Sequence, residues 1–398
     1  MSNKRPACYA PWITTYEYST GEIVPCCEWQ GGSLVKTREH MSLEDRFNHP
    51  AIEKVKSQLL AADRDDIDTL PAGCLHCKKL EKSGNEHSMR MALDDAVEIA
   101  EKERSYKFNS NEYKQLWLDY RESNFCNFSC KMCGSALSST HAKIQGVYGK
   151  TGIIKNPHKL QMYLDRLDEV TYVMFLGGEP VLTDSMYIIL KEIRKRNLQH
   201  KIHMNITTNA SLLHRDSDNL LELLEGFKNV FISISVDAIG DQHNYWRQKG
   251  SWDAVYNNTI TMAKWANEQP QNEKTTTRVG IRSAIGWPNS YGARHVFDWV
   301  ANELTSLCPD VQQRWNLIST PNALSLEQLP QDRLDDLSVW WKDYPEVSEM
   351  FKRVNSNPNN KASTWLKHSS TVYDKWHKNS FIEAFPEFED FYNKLSIK

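Results

Sequence analysis

A chain of 398 residues is long enough for a sizeable core and for more than one domain. Lys and Arg number 48 against 51 Asp and Glu, so nothing in the charge balance suggests a basic nucleic-acid surface. The opening Met1-Ser2-Asn3-Lys4-Arg5-Pro6 leads into no apolar signal-type stretch and no apolar run reaches membrane-spanning length, so a soluble cytoplasmic protein with no membrane partner is expected.

Nine cysteines without a secretion signal argue for metal or redox chemistry rather than disulfides, and eight of them precede residue 134. Residues 1–85 hold five. Cys8 is followed by β-forming runs at Trp12-Ile13-Thr14-Thr15-Tyr16 and Glu22-Ile23-Val24, with Ser19-Thr20-Gly21 between them. That pattern predicts a hairpin, which returns Cys26 towards Cys8. A helix is expected over 42–62, capped by Ser42 with Asp45 at its third position. Pro71-Ala72-Gly73-Cys74-Leu75-His76-Cys77 then supplies C-x2-C in a turn. Cys8, Cys26, Cys74 and Cys77 make a closed four-thiolate set, open on this evidence to zinc or to an iron–sulfur cluster. Cys27, next to a ligand and on the opposite face of a strand, is a spectator. His76 is read as a surface or supporting residue.

Residues 86–112 read as a charged linking helix, running through Ser88-Met89-Arg90-Met91-Ala92-Leu93 to Glu101-Lys102-Glu103-Arg104 and closed by Asn109-Ser110-Asn111. From 113 to 325, strand-like runs alternate with helical stretches such as 185–196. The runs begin at Leu116, Tyr172, Lys201, Val230, Arg278 and Arg314. Repeated strand–helix units imply a parallel sheet with right-handed crossovers, and six units fall short of a closed eight-fold barrel. Side-chain alternation puts His203, Asn205 and Thr207 on one face of the third run, and Ser233, Ser235 and Asp237 on one face of the fourth. Arg278 and Arg282 share a face of the fifth. These polar faces are expected to line a cavity that holds a polar ligand.

Two motifs follow the first two strands. Cys126-Asn127-Phe128-Ser129-Cys130-Lys131-Met132-Cys133 places three thiols within eight residues, which leaves one iron of a four-iron cluster without a protein ligand. Gly177-Gly178-Glu179-Pro180 offers free carbonyls and a carboxylate, acceptors suited to an ammonium group. Cys308, before the sixth strand, is expected to be a buried structural thiol. Residues 326–398 read as helices over 326–341, 346–354 and 371–377, broken at Pro345 and at Asn357-Pro358-Asn359-Asn360. Phe381, Phe385, Phe388, Phe391 and Tyr392 form an apolar stripe at helical spacing, and Trp340, Trp341, Trp365 and Trp376 are read as packing between helices. A helical cap is expected.

The C-x3-C-x2-C loop followed by the GGEP turn at the end of the next strand resembles the radical S-adenosylmethionine (SAM) superfamily. That resemblance implies an α/β fold built on a partial (β/α)6 TIM-type barrel. It implies that Cys126, Cys130 and Cys133 hold a 4Fe–4S cluster whose open iron chelates SAM, and that Gly177, Gly178, Glu179 and Pro180 bind the methionine amine. Thr208-Asn209 and Ser233-Ile234-Ser235-Val236-Asp237 resemble segments that contact SAM, which singles out Asn209, Ser235 and Asp237. Tyr245-Trp246-Arg247-Gln248-Lys249-Gly250-Ser251-Trp252 resembles an R-x2-G segment whose arginine, here Arg247, pairs with the methionine carboxylate. Met132 stands where the family often has an aromatic residue on adenine.

The N-terminal pattern C-x12-G-x4-C with a distant C-x2-C resembles the SPASM and twitch modules that bind an auxiliary 4Fe–4S cluster, here placed ahead of the barrel. The resemblance then implies an enzyme with oxidoreductase-like radical chemistry that abstracts hydrogen from a substrate. It also implies an electron donor such as flavodoxin or ferredoxin. A peptide or protein substrate comes first and a small metabolite second. A non-catalytic SAM- or redox-responsive iron–sulfur or zinc protein is the alternative of another class.

Overall fold

The computed structural model describes residues 4–18, 21–36, 41–84, 87–147, 157–272, 275–359 and 361–396. It divides into two compact units. The first comprises Met1–Asn124, Thr151–Ile206 and Glu222–Val230, and the second Phe125–Lys150, Thr207–Leu221 and Phe231–Lys398.

The first unit begins with a three-stranded antiparallel sheet of Tyr16–Glu17, Glu22–Val24 and Val35–Lys36. Tyr16 faces Val24 and Ile23 faces Val35. The hairpin was foreseen and its third strand was not; Ser19 and Thr20 of the turn lie outside the described residues. Trp12 and Ile13 belong instead to a short helix, Ala10–Ile13, in whose first turn Pro11 supplies a preset φ. The helix expected over 42–62 is two helices, Leu43–Phe47 and Pro50–Ala61. Pro50 has no N–H to continue the first, and it opens the second with the His49 ring accepting from the Ala51 N–H at 3.2 Å. Ser42 caps the first helix through the Asp45 N–H, 3.1 Å. Arg46 and Glu17 form a buried ion pair at 2.6 Å between sheet and helix. The linking helix, Met89–Arg104, buries Leu93, Ala96, Val97 and Ala100, one stripe at helical spacing.

Six strands form one α/β sheet: β1 (Trp117–Tyr120), β2 (Tyr172–Phe175), β3 (His203–Thr208), β4 (Asn229–Ser235), β5 (Thr276–Ile285) and β6 (Gln312–Leu317), in the order β6-β5-β4-β3-β2-β1. In the first unit β1 pairs parallel with β2 and β2 with β3; in the second β5 pairs parallel with β6. β3 buries Met204, Ile206 and Thr208 and leaves His203, Asn205 and Thr207 partly open, as alternation requires. Arg278 and Arg282 likewise lie exposed on one face of β5.

The C-terminal residues of the second unit build an aromatic core. Trp287, Trp341, Phe351, Phe385 and Phe388 are fully buried in it. The expected stripe is inside, although Pro386 breaks it into Phe381–Ala384, a single 3-10 turn and Glu389–Ser396. Lys361–His368 is an additional helix. Residues 371–377 are helical, as a π-helix over Ser369–Asp374 that runs into Lys375–His377. Two of the four tryptophans read as packing are on the surface: Trp340 is 38 % exposed and Trp376 59 %. Composition does not say which face of a short helix carries its tryptophan. Cys308 is buried, as expected.

Trp287 touches the rings of Phe381, Phe388 and Phe391 at centroid distances of 5.3–5.5 Å. Trp287→Ala is expected to destabilise the chain by about 3–5 kcal/mol through the cavity it leaves, read as a lower urea midpoint.

Candidate active site

The cysteine loop leaves β1 and lies wholly in the second unit, and its shape is set by backbone contacts that the spacing alone does not reveal. Ser138, the N-cap of the helix Ser139–Ile144, donates from its hydroxyl to the Phe128 carbonyl at 2.6 Å. The Thr140 hydroxyl donates to the Cys126 carbonyl at 2.8 Å, and the Cys126 N–H donates to Ser139 Oγ at 3.1 Å. The His141 ring meets the Cys130 carbonyl at 2.6 Å. From the other side, the Ser129 N–H donates to the Gln248 carbonyl and the Lys131 N–H to the Trp246 carbonyl, at 2.9 and 2.8 Å. The loop is therefore sewn to the R-x2-G segment.

Gly250 explains the spacing of that segment. A Cβ there would stand 2.7 Å from the Arg247 carbonyl oxygen and 2.9 Å from the Phe128 ring, so only glycine admits Phe128 of the cysteine loop. Lys249 before it sits at φ 67°.

Arg247 is buried and reaches the thiols. Its Nη1 lies 4.0 Å from Cys130 Sγ, and its Nε lies 2.8 Å from Asp237 Oδ2. The Arg247–Asp237 contact is ionic without hydrogen-bond alignment, and both atoms are otherwise without a hydrogen-bond partner. Burial pushes the Cys130 thiol up to about 12, with Cys133 and Asp237 adding to the rise and Arg247 opposing it. Burial also raises Cys133, again against the pull of Arg247. The guanidinium feels Cys126 as well; burial works against its charge, and Asp237 and Cys130 outweigh that. The charge of Arg247, in reach of Cys130, thus favours the thiolate forms of the loop. Asp237 has no exposure; its Oδ1 accepts from the Ala284 N–H at 2.8 Å, and its carbonyl accepts from the Asn289 amide at 2.9 Å.

The other expected positions sort by unit. Asn209 belongs to the second and donates to Asn127 Oδ1 within the cysteine loop at 2.9 Å, while Asn127 donates to Ser211 Oγ at 2.9 Å. Ser235 ends β4, half-buried. Met132 packs against the C-terminal aromatic core. The GGEP turn belongs to the first unit. Gly177 has φ 119° and a Cβ there would meet the Ser123 carbonyl at 3.2 Å. Glu179 is buried, accepts from the Val181 N–H at 3.3 Å, and precedes Pro180 at the start of the 3-10 turn Pro180–Leu182.

Sequence reasoning missed the residues that fasten the loop from far along the chain. The Lys131 ammonium lies 2.5 Å from Asp374 Oδ1 and 2.8 Å from Ser369 Oγ, over the Tyr245 ring at 4.3 Å. Tyr245 donates its hydroxyl to the same carboxylate at 3.1 Å. Lys131 and Asp374 side chains are 1 % and 9 % exposed. Ser129 Oγ meets His377 Nε2 at 3.0 Å, and the Gln248 amide donates to Asn379 Oδ1 at 3.2 Å. The only local hint was a lysine between two cysteines.

In the first unit, Cys8, Cys26, Cys74 and Cys77 line one small cavity together with Trp29 and Arg90. Burial pushes all four thiols up, Cys74 to about 11, and in Cys8 each of the other three adds to the rise. Cys74 and Cys77 sit at the start of the helix Leu75–Lys82 rather than in an open turn. Backbone N–H groups of Arg90 and Met89, at the N-terminus of Met89–Arg104, pull Cys77 back down. Gly73 is needed because a Cβ would stand 2.4 Å from the Trp29 ring. Cys27 follows Cys26 in a turn, not on a strand, and is not part of the cavity wall. His76 is partly exposed, 3.5 Å from Glu28. Among the described residues no group of three or more His, Cys, Asp or Glu side chains is gathered tightly enough to hold a single metal ion.

Residues 121–276 match the model of the Radical SAM superfamily. No curated protein matches the sequence. Among solved structures, the chain is similar to native anSMEcpe with bound AdoMet at 16 % identity, covering 60 % of this chain and 63 % of that one, with a TM-score of 0.40. It is similar to Streptococcus suis SuiB bound to S-adenosylmethionine at 17 % identity, covering 69 % and 58 %, TM-score 0.39. It is also similar to Streptococcus suis SuiB bound to precursor peptide SuiA at 14 % identity, covering 81 % and 66 %, TM-score 0.36. The chain thus spans about three fifths of the length of the first two. Among the described residues no helix is long and apolar enough to cross a membrane.

Gly250→Ala is expected to displace Phe128 and lower the iron retained by anaerobically reconstituted protein. Gly134→Ala, where a Cβ meets nothing within 4 Å, should leave iron content unchanged. Asp374→Ala strands the Lys131 ammonium in the interior and should lower stability by about 3–5 kcal/mol, measured by chemical unfolding.

Proposed function

We propose that this chain, which carries a radical SAM domain over residues 121–276, cleaves SAM reductively and directs the resulting radical at a peptide or protein substrate. The observation that carries the reading is the placement of Arg247. A buried guanidinium lies 4.0 Å from Cys130 Sγ, in a segment fixed to the cysteine loop by two backbone hydrogen bonds.

In this reading Cys126, Cys130 and Cys133 hold a 4Fe–4S cluster. With SAM bound, the cluster supplies the electron that yields methionine and a 5′-deoxyadenosyl radical. The chain's own residues do the rest. Arg247 lowers the cost of assembling three thiolates in a desolvated loop and offers its remaining donors to a carboxylate. Asp237 holds the guanidinium in place. Asn209 and Asn127 fix the loop's flank. Glu179, with Gly177, Gly178 and Pro180, is assigned the SAM amine, and Ser235 a further contact. Met132 takes the adenine side.

Cys8, Cys26, Cys74 and Cys77 are assigned an auxiliary 4Fe–4S cluster in a twitch-like module. Four desolvated thiols around one cavity, with a helix N-terminus aimed at Cys77, are suited to holding anionic ligands on a cluster. The peptide substrate rests on the resemblance alone, since relatives with such modules often modify peptides or proteins.

Anaerobically reconstituted protein given SAM and dithionite should release 5′-deoxyadenosine. Cys130→Ala should abolish that release, whereas Cys74→Ala should remove part of the iron and leave the SAM cluster's low-temperature EPR signal in place. Full iron loading with no nucleoside, in the presence or absence of candidate peptides, would count against the reading.

A further inference from the structure

The tryptophan that departs most from expectation stands next to a residue bonded to the cysteine loop. Trp376 is 59 % exposed, the most exposed aromatic side chain among the large exposed hydrophobics of the described residues. It stands on the last helical turn, Lys375–His377, between Lys375 and Lys378, both exposed. Its neighbour His377 is half-buried and meets Ser129 Oγ at 3.0 Å, immediately before Cys130 in sequence. Lys249 is exposed on the adjoining R-x2-G turn, whose Gln248 amide donates to Asn379 Oδ1 at 3.2 Å, two residues beyond His377. Lys249 and Lys378 both occupy left-handed turn positions, at φ 67° and 54°. Among the described residues none of Lys249, Lys375 and Lys378 forms an ion pair, although acidic residues outnumber basic ones in the chain as a whole, 51 to 48.

Resting on the assignment of a cluster to Cys126, Cys130 and Cys133, we propose that Trp376, Lys375, Lys378 and Lys249 form the docking surface for an acidic one-electron carrier protein. Three cations and no carboxylate partner give the patch the sign that attracts such a carrier. An exposed tryptophan supplies a flat apolar contact at its centre. The area is small, which suits the transient encounters through which redox proteins exchange electrons. His377, next to Trp376, is hydrogen-bonded to Ser129, which adjoins Cys130, so the patch is joined to the cysteine loop by a single side-chain contact. In the exchange the reduced carrier loses one electron and the cluster gains it; no proton or group is transferred.

The contact network beneath makes the surface a fixed one. Lys131–Asp374, Ser129–His377 and Gln248–Asn379 tie residues 374–379 to the loop and to the R-x2-G segment. The exposed side chains are free of that network, so they can be changed without loosening it.

The test uses reconstituted holoprotein with reduced flavodoxin as probe, and a reduced 2Fe–2S ferredoxin in parallel. Binding is measured by calorimetry, and carrier oxidation by stopped-flow absorbance, at two salt concentrations. Lys375→Glu/Lys378→Glu and Trp376→Ala should each leave iron content and dithionite-driven 5′-deoxyadenosine release unchanged. The charge reversal should slow carrier oxidation about tenfold or more and abolish most of its salt dependence. Trp376→Ala should weaken binding at both salt concentrations. Carrier affinity and rate equal to wild type in the charge-reversed protein overturn the proposal, whatever else the patch binds. Failure of the dithionite control in the wild type instead overturns the cluster assignment, and binding still decides whether the surface recognises the carrier.

Discussion

Three thiols brought together away from water resist ionisation, each by its own desolvation and by the charge of the others. The Arg247 guanidinium is the group in the second unit that offsets this, and much of the local structure exists to keep it where it is. Asp237 anchors it at 2.8 Å, and the Ala284 N–H and Asn289 amide hold the Asp237 residue in turn. Gly250 lets the Arg247 turn close on Phe128. Serine and threonine side chains of the following helix absorb the loop's orphan backbone groups, so the thiols hang from a rigid frame. A frame of that kind is what a site needs if its ligands are to return to one geometry after each exchange of bound molecules.

The two thiol sets are built by different means. In the second unit a buried guanidinium lies 4.0 Å from one sulfur; in the first, the cavity wall is largely apolar, and the opposing influence at Cys77 comes from backbone dipoles at the end of a long helix. Arg90 also lines that wall; it is paired with Glu81 at 3.0 Å, and its charge, with that of Lys78, opposes the rise of Cys74. The proposed assignments give the contrast a purpose: a set with an open iron would have to accommodate a changing ligand, while a set with four thiols would be complete without one.

What the sequence disclosed was local. C-x3-C-x2-C and R-x2-G are recognisable by their spacing, though not the contacts that shape them, and the alternation of His203, Asn205 and Thr207 with Met204 and Ile206 is a property of any strand. Pro50 and Pro386 were equally legible as breaks, because the ring removes a donor wherever it falls, and reading through Pro50 merged two helices into one. The Lys131–Asp374 pair spans 243 residues, and no pattern within either segment announces the other. The exposure of Trp340 and Trp376 was hidden for a related reason: hydrophobicity identifies residues that gain from burial, and only tertiary packing says which short helix turns its tryptophan outward.

The thiols of the first unit come from three stretches of chain, at Cys8, at Cys26 and at Cys74 with Cys77. An unfolded chain scatters them, so whatever they bind is bound by the folded form alone, and by mass action its supply stabilises that form. On the proposed assignment of a cluster to these thiols, cells starved of iron would hold more of the chain unfolded and open to proteases. On that proposal the amount of this protein in a cell becomes, through nothing more than that equilibrium, a record of how much metal the cell could spare when the chain was made.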